Sequence, residues 1–92
     1  MIRSFRCQET KAIHEGCGSR KFRGFEEQAR KRLRWLDAAT SLADLGAIRG
    51  NRLEALKGNR AGQHSIRIND RWRICFTWRD GNAHHVEIVD YH

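Results

Sequence analysis

From about Gly24 to Ala39 the apolar positions Phe25, Ala29, Leu33 and Leu36 recur at steps of three and four, which predicts a helix with one buried stripe. Arg30, Lys31, Arg32 and Arg34 fall largely off that stripe and read mostly as a solvated face. Ahead of it, Gln8 to Glu15 collects helix formers and ends at Gly16-Cys17-Gly18, a natural stop for a shorter helix. Ile2 to Arg6 has room for a short first strand. Thr40-Ser41-Leu42-Ala43-Asp44 has the form of a capping sequence and predicts one more helical turn before Gly46 and Gly50 break the chain.

After Gly50 the period changes to two and the chain reads as a sheet. The expected strands are Leu53 to Leu56, Gln63 to Ile68, Arg71 to Trp78, and a last one from about Ala83 onward. Lys57 to Gly62 is a loop, Asn69-Asp70 a tight turn, and Asp80-Gly81 a hairpin turn that accepts positive φ angles. In the third strand Trp72, Ile74, Phe76 and Trp78 share the parity that should face the helices. Arg73, Cys75 and Thr77 share the other, and the same count turns Ile66 and Ile68 inward and Arg67 outward. Arg67 and Arg73 are therefore expected on one open sheet face, where a phosphate backbone can lie. The adjacent His84 and His85 should face opposite sides. Two Gly-Asn-Arg tripeptides, at 50–52 and 58–60, read as coincident turn chemistry because nothing around them repeats.

Composition narrows the partner. With 92 residues the expectation is a single domain, residues 1–92, with one principal site or interface. Lys and Arg number 18 against 11 Asp and Glu, a formal net charge of +7, so polyanions, nucleic acid first, are the expected ligands; an inert basic face or an acidic protein partner also fits that charge. No apolar run reaches membrane-spanning length and Met1 to Arg6 lacks a signal-peptide core, so no membrane association and a cytoplasmic location are expected. Cys7, Cys17 and Cys75 form an odd set without a C-x-x-C pair and read as reduced and structural; Cys7, His14 and Cys17 fit no common zinc spacing.

Cutting RNA without a metal needs a base for the 2′-hydroxyl, an acid for the leaving 5′-oxygen, and cations for the charged phosphorane. Asp90, Tyr91 and His92 place three proton-handling side chains in succession at the end of a strand. Alone they would read as a frayed strand end. Their setting changes that reading. Gly50-Asn51-Arg52-Leu53, Leu56-Lys57-Gly58, Gly62-Gln63-His64-Ser65-Ile66-Arg67, Trp72-Arg73-Ile74 and Val86-Glu87-Ile88-Val89-Asp90-Tyr91-His92 closely resemble the HigB toxin family of the RelE/ParE superfamily. The resemblance extends to Met1-Ile2-Arg3-Ser4-Phe5 and Leu36-Asp37-Ala38-Ala39-Thr40 and so spans essentially the whole chain.

That resemblance implies an α+β fold, two N-terminal helices packed on a curved antiparallel sheet. It implies a type II toxin: a metal-independent endoribonuclease, needing no cofactor, that cleaves messenger RNA on the ribosome. A helix-turn-helix antitoxin would hold it in check and associate it indirectly with operator DNA. Carried onto matching positions, the catalytic group is Asp90, Tyr91 and His92, and Lys57, Arg60, Arg67 and Arg73 contact phosphates. His92 is a proton donor or acceptor, since an imidazole suits either role. Where some family members place a catalytic His, this chain has Glu54, which can be a base but not a cation at neutral pH. Glu54 is thus either the base or an ion-pair partner of a nearby Lys or Arg. A ParE-like gyrase inhibitor and a non-catalytic RNA- or ribosome-binding module remain as alternatives. Trp35, Trp72 and Trp78 can stack bases, although the inward pair suits the core better.

Overall fold

The stripe of Ala29, Leu33 and Leu36 forms on α2 (Glu26–Ala38), and each of these side chains is fully buried. The computed structural model describes residues 1–90. Before α2 lies the short α1 (Gln8–His14), which adds Ile13 to the same core, and after it α3 (Leu42–Gly46), which adds Leu45. The capping sequence does what its residues suggest: Ser41 Oγ accepts from Asp44 N, while the Asp44 carboxylate accepts from Thr40 N and Oγ1. These bonds, the Thr40 backbone N–H foremost, hold the Asp44 carboxyl below its ordinary range.

The rest of the chain forms a sheet of β1 (Glu54–Ala55), β2 (Gln63–Arg67), β3 (Trp72–Arg79) and β4 (Asn82–Asp90), each antiparallel to its neighbour in that order. The β3–β4 turn has φ of 53° at Asp80 and 76° at Gly81, the left-handed pair that a two-residue hairpin requires. Ile66, Ile74, Phe76, Val86 and Ile88 line the core with the helical residues. Trp72 joins them edge-on to Phe22 and stacked with Phe25, at ring separations of 5.6 and 5.4 Å. The architecture is the expected α+β one. None of the helices among the described residues is long and apolar enough to cross a membrane.

The structure departs from the sequence reading in several places. Ile2 to Arg6 does not extend the antiparallel sheet; it runs parallel beside β4, bridging at Ile2–Ala83 and Phe5–Val86. Where it turns away into α1, Thr10 Oγ1 takes over and accepts the Ile88 N–H at 3.0 Å, closing that edge. The β3–β4 register shifts between Cys75 and Thr77, and His85 sits at that irregularity with φ of 55°. The bulge breaks the alternation, so His84 and His85 do not simply face opposite sides: their rings lie 6.4 Å apart, and Val86 returns to the core.

Arg30 is not on a solvated face. It is buried, its Nε donates to Ile13 O at 2.8 Å and its NH2 to Cys17 O at 3.0 Å, and Glu27 pairs with it from outside. The guanidinium ties α2 to the C-terminal end of α1, where free carbonyls and the helix dipole favour a cation. Arg32 is also partly withdrawn, its Nε donating to Arg67 O at 2.7 Å, whereas Lys31 and Arg34 are exposed. Arg30→Ala is expected to lower unfolding free energy by about 1–3 kcal/mol, because Cys17 O loses its partner and a buried stem is removed. Arg34→Ala should stay within about 0.5 kcal/mol of the parent in urea titration; equal effects would place both arginines on the surface.

Candidate functional site

The sheet face turned away from the helices carries Glu54, Gln63, Ser65, Arg67, Arg73, Cys75, Thr77 and Glu87, as the register of β1 to β4 requires. It was expected to be open. Instead Ser65 and Cys75 are fully buried and Arg73 is 9% exposed, because long polar side chains lie across the strands and cover them. Burial pushes the Cys75 thiol up from its ordinary range, with Glu87 adding to the rise and Arg60 and Arg73 opposing it.

Arg73 is directly opposite Arg67 in the β2–β3 pairing, an arrangement of like charges that needs partners nearby. Each finds them in its own way. Arg73 Nε donates to Ser65 Oγ at 2.8 Å, and its NH2 donates to Arg52 O at 2.5 Å and faces the Glu54 carboxylate at 4.0 Å. Arg67 pairs with Asp70, an exposed residue of the β2–β3 turn. Asn69 Oδ1 holds that turn by accepting from the backbone N–H groups of Arg71 and Trp72. Together Arg52, Glu54, Arg67, Asn69, Asp70 and Arg73 line a cleft of about 250 Å³.

Of the residues singled out from sequence, Glu54, Arg67 and Arg73 are therefore brought together. Lys57 and Arg60 are not at this cleft. They lie by the opposite end of β2, beyond the Leu56–Gln63 backbone bond, and β2 is five residues long, on the order of 13 Å between its end residues. Arg60 is engaged there with Glu87 at 2.8 Å and Gln63 at 3.1 Å, and Arg6 approaches the same Glu87 at 3.8 Å; Lys57 is exposed. Asp90 pairs with Trp72, so it stands on the core-facing parity, opposite to Glu54, and its carboxylate binds Arg71 Nε at 2.7 Å. Tyr91 and His92 lie outside the described residues.

Sequence reasoning missed Arg52, Asp70 and Arg71. A signal for Asp70 was available: two arginines in register across a strand pair demand counter-charge, and a turn acid three residues from one of them supplies it. Arg52 was hidden in a tripeptide read as turn chemistry. The chemical capacity of the cleft is plain from its groups, with a carboxylate able to accept a proton beside guanidiniums able to stabilise an oxyanion.

Residues 7–92 match the family described as the RelE-like toxin of the type II toxin-antitoxin system HigB. The chain is 33% identical over 93 residues to Endoribonuclease HigB of Proteus vulgaris, covering 100% of both chains. It is 47% identical over 53 residues to Toxin HigB-1 of Vibrio cholerae, a match that takes in 58% of this chain but only 56% of that protein. In architecture it resembles one chain from the crystal structure of the heterotetrameric YoeB-YefM toxin-antitoxin complex of Staphylococcus aureus, with TM-score 0.60 and 19% identity over 100% of this chain and 98% of that one.

The different surroundings of the paired arginines predict different costs of removing them. Arg73→Ala should lower unfolding free energy by about 2–4 kcal/mol, since it strips hydrogen bonds from buried Ser65 and from the Arg52 carbonyl. Arg67→Ala breaks an exposed pair and should cost about 1 kcal/mol or less. Urea unfolding of both variants checks the order, and an Arg73→Ala protein as stable as Arg67→Ala would show that the buried bonds carry no weight.

Proposed function

The chain belongs to the HigB-like family of RelE-like toxins of type II toxin-antitoxin systems, and from that membership we propose that it is a metal-independent endoribonuclease that cuts messenger RNA on the ribosome and so arrests translation. A single toxin domain over residues 1–92 carries the activity in the cytoplasm, and a helix-turn-helix antitoxin restrains it and links it to operator DNA. The observation that carries the reading is the Glu54 carboxylate standing 4.0 Å from the Arg73 guanidinium inside a cleft that also receives Arg67.

In this reading Glu54 accepts the proton of the 2′-hydroxyl as that oxygen attacks the adjacent phosphorus. The guanidiniums stabilise the charge gathering on the non-bridging oxygens, which is where preorganised cations contribute most. The bond from phosphorus to the 5′-oxygen then breaks, and the departing oxygen takes a proton from an acid. We assign that acid to His92, with Tyr91 beside it. The products are a 2′,3′-cyclic phosphate and a 5′-hydroxyl, so atoms and protons balance without a metal. β4 is directed toward this site: Val89 pairs with Arg73, so the strand runs out at the cleft end of the sheet. Asp90, held by Arg71, acts in the group as the anchor of that strand end. Arg60 and Lys57 extend the cationic surface toward flanking phosphates.

Induction in growing cells followed by primer extension should reveal new messenger RNA 5′ ends in phase with the reading frame. Their absence, with loss of supercoiling by gyrase in a parallel assay, would favour the ParE-like alternative. Glu54→Gln should slow single-turnover cleavage by roughly a hundredfold or more, the loss typical of a missing general base, while RNA binding is no weaker than the parent's because the substitution also removes a negative charge from the cleft. An unchanged rate would reduce Glu54 to a counter-ion of Arg73 and leave His92 as the principal acid-base group.

A further inference from the structure

The cleft at Glu54 holds three guanidiniums and two carboxylates, and their pairing is uneven. Arg67 is bound to Asp70. Arg73 faces Glu54 and directs its N–H groups to Ser65 and to the carbonyl of Arg52. The exposed Arg52 lines the cleft with no ion-pair partner among the described residues, so the one positive charge left over is its own.

Its backbone is unusual as well. Arg52 has φ of 45°, a left-handed conformation uncommon for a long side chain, and the structure holds it there from both sides. On one side Asn51 is fully buried, its side-chain Nδ2 donating to Leu45 O at 3.1 Å and its backbone carbonyl accepting from Arg67 N at 2.6 Å. On the other, Arg73 grips the Arg52 carbonyl at 2.5 Å. The consequence is an exposed arginine, unmatched in charge, whose backbone is held in place in the lining of the polar cleft that also contains the proposed base.

We propose that Arg52 is a substrate contact: its guanidinium binds a phosphodiester of single-stranded RNA at the cleft, and Arg73 serves in part to present it. The inference deepens the ribonuclease reading and rests on it for the identity of the ligand. A phosphodiester carries one negative charge and offers two oxygens to the planar fork of an arginine. It also balances the cleft's remaining charge without displacing Asp70 or Glu54.

The left-handed backbone supplies a clean test, because glycine tolerates that conformation without strain. Arg52→Gly removes the charge while keeping the chain path, so its urea midpoint should equal or exceed that of the parent. Binding of a 2′-O-methylated single-stranded RNA, which cannot be cleaved, is then measured against salt concentration. The slope of log affinity on log salt should fall by about 0.7, the release expected for one phosphate contact on a single strand. Cleavage of ribosome-programmed messenger RNA should drop at least about tenfold, by comparison with a lost charge-assisted contact. Arg52→Lys should restore the salt slope, and Arg49→Ala, another exposed arginine, should leave both readouts near the parent. An Arg52→Gly protein with the parent's slope and rate would overturn the proposal. So would an Arg52→Lys protein indistinguishable from Arg52→Gly, or an Arg49→Ala protein with the same losses. The binding arm is separate from the reaction. A parent that shows the Arg52-dependent slope and cuts no RNA would sustain this inference and defeat the ribonuclease reading.

Discussion

A guanidinium withdrawn from water must direct its donors to acceptors, and at Arg73 that requirement organises one side of the protein. Its acceptors are the hydroxyl of Ser65 on β2 and the carbonyl of Arg52, in the segment that leads from α3 to β1. β1 is two residues long, far too short to be stable through its own ladder. The bonds made by Arg73, with those of the buried Asn51, hold the incoming chain against the sheet and so put Glu54 where it is. Loss of the pairing would leave a buried charge without acceptors, which is why this interaction constrains the backbone more firmly than its surface counterpart between Arg67 and Asp70.

A second buried guanidinium does for the helices what Arg73 does for the sheet. Arg30 reaches from α2 to the carbonyls at the end of α1, and that contact sets how the short helix sits against the long one. Both arginines combine an apolar stem that fills space with a charged head that meets backbone oxygens. Small domains have little core to draw on, and a guanidinium that bonds two elements at once is a compact way to fix their geometry. The net charge of +7 is thus not all available for polyanions: part of it is consumed inside the fold.

Periodicity and turn chemistry made most of the fold legible. The α2 stripe, the Ser41 cap, the Asp80-Gly81 hairpin and the inward set Trp72, Ile74 and Phe76 all appear where the sequence pattern puts them. What the pattern could not express is coverage of the second sheet face. Parity assigns Arg73 and Cys75 to the side away from the helices, correctly, but says nothing of the side chains that then lie over them. Nor does alternation survive a bulge, so one unpaired residue at His85 was enough to undo the reading of His84 and His85. The candidate site was half legible. Glu54, Arg67 and Arg73 converge, while Lys57 and Arg60 belong to the far end of β2, and Asp90 to the other face. The two Gly-Asn-Arg tripeptides show the limit most sharply. Identical in sequence, one becomes a buried tie followed by a left-handed arginine whose carbonyl meets Arg73, and the other the short 3₁₀ turn Gly58–Arg60 whose arginine meets Gln63 and Glu87.

In the proposed reaction, a carboxylate rather than an imidazole at position 54 alters more than the identity of the base. An anion next to Arg73 subtracts from the field that draws a phosphate in, and the cleft keeps a single net positive charge where a neutral group would leave it two. Capture of an anionic substrate must then depend more on cations whose charge is not already matched, and less on the pair at the centre. That division has a chemical advantage. In the proposed reaction the matched pair can be held rigidly for proton transfer and charge stabilisation while an unmatched arginine serves recognition, so that neither task weakens the geometry of the other.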